Sequence, residues 1–225
     1  MSTATSQQDT LKIARYNMVE QQIRPAEVLD PRILDLISSM PRENFVPEEY
    51  RGLAYSDTHI PIGHGQSMLK PIQEARFLQV LDIQPSDKVL EIGTGSGFMT
   101  ALLAKLADRV ISVEIVPELA QQAKAKLAAH NIGNASIETG DAADGWPNNA
   151  PYDVIVATGS MPLMSESLKN QLTINGRLCL TVGAGVVMTV YLVTRISENQ
   201  WTQEALFETA LPVLQNVPQP DAFVF

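Results

Sequence analysis

An α/β fold with a mostly parallel sheet is predicted for this chain of 225 residues, and three observations predict it. From Lys88 onward, short apolar runs alternate with segments of helical period, the pattern of strands joined by crossover helices. The first run, Val89-Leu90-Glu91-Ile92, leads straight into a glycine-rich turn, Gly93-Thr94-Gly95-Ser96-Gly97, that opens the next helix. Near the end, two apolar runs flank Ser197-Glu198-Asn199-Gln200-Trp201 and read as an antiparallel hairpin.

Taken in order, helices are expected over residues 12–22 and 31–40, each followed by a proline-containing break. Residues 41–71 are rich in Pro, Gly, Tyr and Asp and read as an ordered loop, with Phe45, Val46, Leu53, Ile60 and Ile62 to pack it. A helix over 71–81 leads into the regular part. There, strands are expected at 89–92, 110–114, 135–139, 152–157 and 177–182, and helices at 99–107, 117–130 and near 162–172. The closing hairpin pairs 186–196 with 202–211. Two regions result: an N-terminal helical extension with a lid over residues 1–80, and one compact α/β unit over 81–225.

Composition narrows the function. The net charge is −9, with 16 basic against 25 acidic residues, and no basic run offsets it, which disfavours a nucleic-acid partner. Apolar runs such as 182–193 carry glycine and polar breaks and are too short to span a bilayer. Residues 1–10 are polar without an export pattern, and the single cysteine, Cys179, fits a reducing compartment, so a cytoplasmic location is expected. His59, His64, His130 and Cys179 have no zinc-ligand spacing, and no metal is expected. His130 reads as an exposed helix end, and His64, between Gly63 and Gly65, as a loop residue beside a ligand or a plain turn.

A strand, a glycine turn and a helix N-terminus form a nucleotide cradle. A dinucleotide fingerprint places glycines at its first, third and sixth positions, but Phe98 stands at the sixth here. Glycines at 93, 95 and 97 with Glu91 just inside the strand suit a cofactor without a pyrophosphate and with a charged amino-acid portion, as in S-adenosyl-L-methionine. Two further acids follow at successive strand ends. Glu114 is placed to accept from both ribose hydroxyls, and Asp141, beside Ala142, from an adenine amino group. Glu91 either orders the turn or balances the ligand's ammonium. Thr94 and Ser96 complete the cofactor set.

With these residues in view, the chain resembles the protein-L-isoaspartate(D-aspartate) O-methyltransferases from about Met18 to Leu214. Pro41-Arg42-Glu43-Asn44-Phe45-Val46-Pro47 is similar to that family's first motif, and Ala54-Tyr55-Ser56-Asp57 with Pro61-Ile62-Gly63-His64-Gly65-Gln66 to its substrate-side loop. Val89 through Phe98, Pro151-Tyr152-Asp153 and Gly176-Arg177-Leu178 resemble later motifs. The resemblance implies a Rossmann-like methyltransferase fold, with a mostly parallel seven-stranded sheet and an antiparallel last strand. It also implies methyl transfer from S-adenosyl-L-methionine to the free carboxylate of L-isoaspartyl residues in damaged proteins or peptides.

One stretch departs from the family. Where the family has Thr-Ile-Ser-Gln-Pro, this chain has Ser67-Met68-Leu69-Lys70-Pro71. Ser67 keeps a hydroxyl, Leu69 replaces the serine assigned to catalysis, and Lys70 replaces a glutamine. Losing a hydrogen bond at a desolvated reacting group costs about 1–3 kcal/mol, roughly ten- to a hundredfold in rate. The Lys70 ammonium either supplies the missing anion contact or points to solvent. Catalytic candidates are therefore Ser67, Leu69, Lys70 and Asp57, the last equally suited to capping a turn. Tyr55, His59, His64, Thr158 and Ser160 are candidates for the substrate, with Ser160 alternatively an N-cap before Pro162.

A carboxylate acceptor is already ionised at neutral pH, so methyl transfer to it needs no general base, only a dry site that aligns the partners. Three rivals share the cradle: a diverged methyltransferase acting on another carboxylate or a hydroxyl, a cofactor-binding protein without catalysis, and an NAD module. Leu69 separates the first rival from the isoaspartyl reading. Retention of Glu91, Glu114 and Asp141 weighs against the second, and Phe98 with the terminal hairpin against the third.

Overall fold

The structure, a computed structural model, describes residues 2–220, with side chains from Asp9 onward. It divides after Asp82 into two units.

The first unit begins with α1 (Ser2–Met18), which widens into a π turn at Val19–Ile23. Asp30 caps α2 (Pro31–Ser39), accepting from Arg32 N at 2.8 Å, with Pro31 in the first turn where a missing N–H costs nothing. Ile33, Leu34 and Ile37 form its buried stripe. α3 (Pro71–Leu81) repeats the proline start, and Gln73 Oε1 accepts from Lys70 N at 2.9 Å. Gln79 on α3 pins the 27–30 linker: it accepts from Leu29 N and Asp30 N and donates to Glu27 O.

Residues 41–71 hold more structure than the loop expected of them. Short 3-10 turns form at Arg42–Asn44 and Glu48–Leu53, and a small hairpin joins β1 (Ile60–Gly63) to β2 (Gln66–Met68). Ile60 and Ile62 face inward and Pro61 and Gly63 outward, a period-two pattern too short to stand out beside a proline. Its turn holds Gly63, His64 and Gly65 at φ 88, 52 and 71°.

Arg42 fixes this region. Its side chain is about 1% exposed and donates to Ala54 O at 2.8 Å, to Leu69 O at 2.7 Å and to both oxygens of Glu74 on α3. Burial raises the Glu74 carboxyl to about 7, against the pull of the Arg42 guanidinium. One guanidinium thus ties both ends of the segment carrying Tyr55 to Met68.

The second unit contains a seven-stranded sheet. Its strands are β3 (Lys88–Ile92), β4 (Arg109–Glu114), β5 (Ala135–Thr139), β6 (Tyr152–Met161), β7 (Leu172–Val182), β8 (Met188–Ser197) and β9 (Gln200–Thr209), ordered β5-β4-β3-β6-β7-β8-β9. The first five are parallel to their neighbours, while β8 is antiparallel to β7 and β9 antiparallel to β8. The crossover helices are α4 (Phe98–Leu106), α5 (Pro117–Ala129) and α6 (Glu166–Asn170). Leu90, Ile111, Ile155, Leu178 and Val193 share one buried cluster. Cys179 lies in β7, fully buried, which pushes its thiol up to about 12.

Three details correct the expectation. β6 runs on through Ser160 to Met161, past a register shift, where these residues pair with Thr181 and Val182 of β7 and Ser160 also bridges Val213. The helix expected near 162–172 is therefore only α6, and its N-cap is Ser165, which accepts from Leu168 N, not Ser160. The closing hairpin turns at Glu198-Asn199, tighter than the five-residue link expected.

Removing one member of a buried ion pair strands the other. Arg42→Met is expected to lower the free energy of unfolding by about 3–5 kcal/mol in urea titrations, with Arg42→Met/Glu74→Leu recovering part of it. A loss below about 1 kcal/mol would show that Arg42 does not hold the region.

Candidate cofactor and acceptor sites

The turn after β3 is held from below by a buried carboxyl group. Glu91 is fully buried, and its Oε2 accepts from Ser112 Oγ at 2.6 Å and from the Thr100 hydroxyl on α4. Sheet register places Ser112 directly beside Glu91 on β4. Ser112 Oγ also lies 2.5 Å from Thr94 Oγ1 in the turn. A hydroxyl has one proton, and Ser112 gives its own to Glu91, so Thr94 donates to Ser112. β3, β4, α4 and the glycine turn are thus linked through one carboxyl group.

Gly93, Gly95 and Gly97 all have positive φ, at 92, 53 and 84°. At Gly93 the protein itself also excludes a side chain, and at Gly97 it crowds one. A Cβ on Gly93 would lie 2.5 Å from Thr158 Oγ1, and one on Gly97 would lie 3.0 Å from Ala123 Cβ on α5. Thr158 sits this close because its hydroxyl bonds the end of β3, 2.5 Å from Gly93 O and 3.0 Å from Ile92 O. Ser96 Oγ accepts from Phe98 N at the start of α4.

Glu114 ends β4. Its Oε2 accepts from Gly95 N at 2.7 Å and its Oε1 from Val116 N at 3.0 Å. Asp141 lies just past β5, where its Oδ1 accepts from Ala143 N at 2.9 Å and its Oδ2 from the Asn216 amide at 2.7 Å. Ala142, between them, is buried. A carboxylate accepts about four hydrogen bonds, so each of these two acids retains acceptor capacity for a diol or an amino group. The two acceptor carboxylates and the glycine-rich turn fit an adenosyl cofactor. Ser160 is fully buried in β6, with its Oγ 3.4 Å from Leu211 O.

In the first unit, Tyr55 is part of a buried triad. It donates to Glu43 and accepts from Arg15 Nε at 2.8 Å, while Arg15 Nη2 bonds Glu43 at 3.1 Å. Burial and the Glu43 carboxylate raise the Tyr55 phenol well above its usual range, so it remains a donor. The β1–β2 hairpin folds the chain back so that Asp57 meets Lys70, 3.9 Å between Oδ2 and Nζ, and His59 Nδ1 meets Met68 O at 3.1 Å. The carbonyl can only accept, so His59 donates from Nδ1. The Asp57–Lys70 pair is about one-third exposed on each side, and water screens it. Ser67 is half-buried on β2, His64 is exposed at the hairpin tip, and the Leu69 side chain is buried. Spacing alone did not single out Ser112, Thr100, Arg15 or Glu43, whose roles arise from strand register and long-range packing.

Residues 14–215 match the family model described as protein-L-isoaspartate(D-aspartate) O-methyltransferase. The chain is 46% identical over 170 residues to protein-L-isoaspartate O-methyltransferase 1 of Rhodopseudomonas palustris, covering 76% of this chain and 69% of that relative. It is 42% identical over 191 residues to the protein-L-isoaspartate O-methyltransferase of Syntrophus aciditrophicus, covering 85% and 88%. Among solved structures, a Plasmodium falciparum protein in complex with S-adenosyl-L-homocysteine superposes with TM-score 0.77 at 20% identity, over 89% of this chain and 98% of that one. At that identity the likeness concerns the fold.

Gly93→Ala is expected to weaken binding of S-adenosylhomocysteine by at least about tenfold in calorimetry, since it meets both a positive φ and Thr158. Thr158→Ala in the same chain removes the collision but not the φ strain and should restore only part of the affinity.

Proposed function

The chain belongs to the protein-L-isoaspartate(D-aspartate) O-methyltransferase family, and from that premise we propose how its own residues serve methylation of the free carboxylate of L-isoaspartyl residues in damaged proteins or peptides. The observation that carries the reading is the pair of strand-end carboxylates beside the stitched turn, each with one protein donor per oxygen and capacity left over. S-adenosyl-L-methionine, when bound, supplies an electrophilic methyl group on a sulfonium centre. The chain's task is to hold and orient. Glu114 takes the ribose hydroxyls while keeping Gly95 N–H, and Asp141 takes the adenine amino group. Glu91, sealed from solvent, acts through Ser112 and Thr94 on the shape of the turn.

On the acceptor side we assign Asp57, His59, Ser67 and Lys70. A free carboxylate has an unperturbed pKa of about 4 and is a nucleophile at neutral pH without a base. Lys70 is the one cation of this set, and its long, screened contact with Asp57 is weak enough for an incoming carboxylate to replace. Tyr55 contributes through its place in the Arg15–Glu43 triad, and His64 from the hairpin tip.

The partner is a protein or peptide, and the net charge of −9 supports excluding nucleic acid. No helix among the described residues is long and apolar enough to cross a membrane. The lone, buried Cys179 supports a reducing, cytoplasmic setting.

A second reading keeps the cofactor and changes the acceptor to another carboxylate or a hydroxyl. Leu69 favours it, because its buried side chain puts no hydrogen-bonding group where the family resemblance expects a serine.

Transfer of a radiolabelled methyl group to an isoaspartyl peptide, but not to its aspartyl twin, is the expected result; no incorporation despite measured cofactor binding would transfer the assignment to the second reading. Leu69→Ser is expected to raise kcat/KM for the isoaspartyl peptide by about tenfold or more. Lys70→Gln should raise KM several-fold, to an extent that shrinks at high salt.

A further inference from the structure

After β9 the chain runs back along β6 in an anchored segment. Ser160 N donates to Pro212 O and Leu214 N to Ser160 O, both at 2.9 Å, and Ser160 forms a parallel bridge with Val213. Leu214 Cδ2 occupies space that a side chain at Gly159 would need, 2.7 Å from its Cβ position, and lies in ordinary contact distance, 3.6 Å, of that of Gly93. Val217 is buried in the main cluster of the second unit. Between these anchors sits Asn216, at φ 59°, a left-handed conformation that asparagine tolerates better than most residues. Its Nδ2 donates to Asp141 Oδ2 at 2.7 Å.

We propose that Asn216 is a positioning residue for adenine recognition. It fixes the Asp141 carboxylate so that the C-terminal segment 211–217 controls how strongly the cofactor's amino group is read. This rests on the assignment of Asp141 to that amino group made above. The torsion that turns a carboxylate about its Cβ–Cγ bond is broad and roughly twofold, so one hydrogen bond leaves its plane loosely set. Asp141 has two, from opposite sides of the sequence: Ala143 N on Oδ1 and the Asn216 amide on Oδ2. Together they set the plane of this exposed carboxylate and leave one acceptor position on each oxygen. The anchors at Leu214 and Val217 place Asn216 through the fold, so the bond does not depend on a free chain end. Asparagine suits the position twice over, by its amide donor and by its tolerance of positive φ.

The test compares binding of S-adenosylhomocysteine with that of its 6-oxo counterpart, in which inosine replaces adenosine, by calorimetry. Asn216→Gly keeps the backbone permissive and removes the donor; Asn216→Asp keeps the shape and puts a like charge against Asp141. The unaltered chain is expected to prefer the adenosyl ligand by at least about tenfold. Both variants should cut that preference by about fivefold or more while affinity for the 6-oxo ligand stays within about twofold. Equal weakening of both ligands would reduce Asn216 to a structural role, and an unchanged preference would remove it from recognition; either overturns the proposal. Equal binding of both ligands by the unaltered chain would overturn the Asp141 assignment itself, a failure visible without any variant.

Discussion

The second unit depends on a carboxyl group that no solvent reaches. Glu91 is placed in the middle of a parallel sheet, where a polar side chain is costly unless it is bonded. Two hydroxyls, from Ser112 on the next strand and Thr100 on the following helix, both bond its Oε2. Leaving a buried partner unbonded costs about 1–3 kcal/mol, so the strand, the helix and the strand beyond are constrained to one arrangement. Thr94 extends the constraint into the turn, and Gly95 passes it to Glu114. The turn is thus shaped by three buried residues, Glu91, Ser112 and Thr100.

The first unit is organised around a buried cation in a similar way. Arg42 is buried and bonds two main-chain carbonyls, Ala54 O and Leu69 O, on either side of the hairpin. Main-chain bonds hold the loop whatever side chains it displays, which leaves positions 69 and 70 open to change without loss of the scaffold. Leu69 and Lys70 make use of that freedom. The Leu69 carbonyl keeps its guanidinium partner whatever side chains stand there.

The sheet and its crossover helices were legible in the sequence because apolar runs and helical periods repeat over many residues from Lys88 onward. The acids at strand ends could be placed from the same pattern. What could not be read depends on neighbours distant in sequence. Ser112 acts on Glu91 only because the register pairs them. Gly93 is needed partly because Thr158, sixty-five residues away, fills the space its Cβ would take. The small hairpin at 60–68 escaped notice because its strands span four and three residues and one contains a proline. Ser160 looked like a helix cap since nothing local reveals that the C-terminal segment extends β6.

Ser112→Ala tests the central claim most directly. Ser112 is fully buried within β4, so any effect on ligand binding must pass through its hydrogen-bonded neighbours Glu91, Thr94 and Thr100. With the fold retained by circular dichroism, S-adenosylhomocysteine affinity should fall by about tenfold, and the amides of residues 93–97 should exchange faster with solvent. Affinity within about twofold of the unaltered chain, with unchanged exchange, would contradict the account.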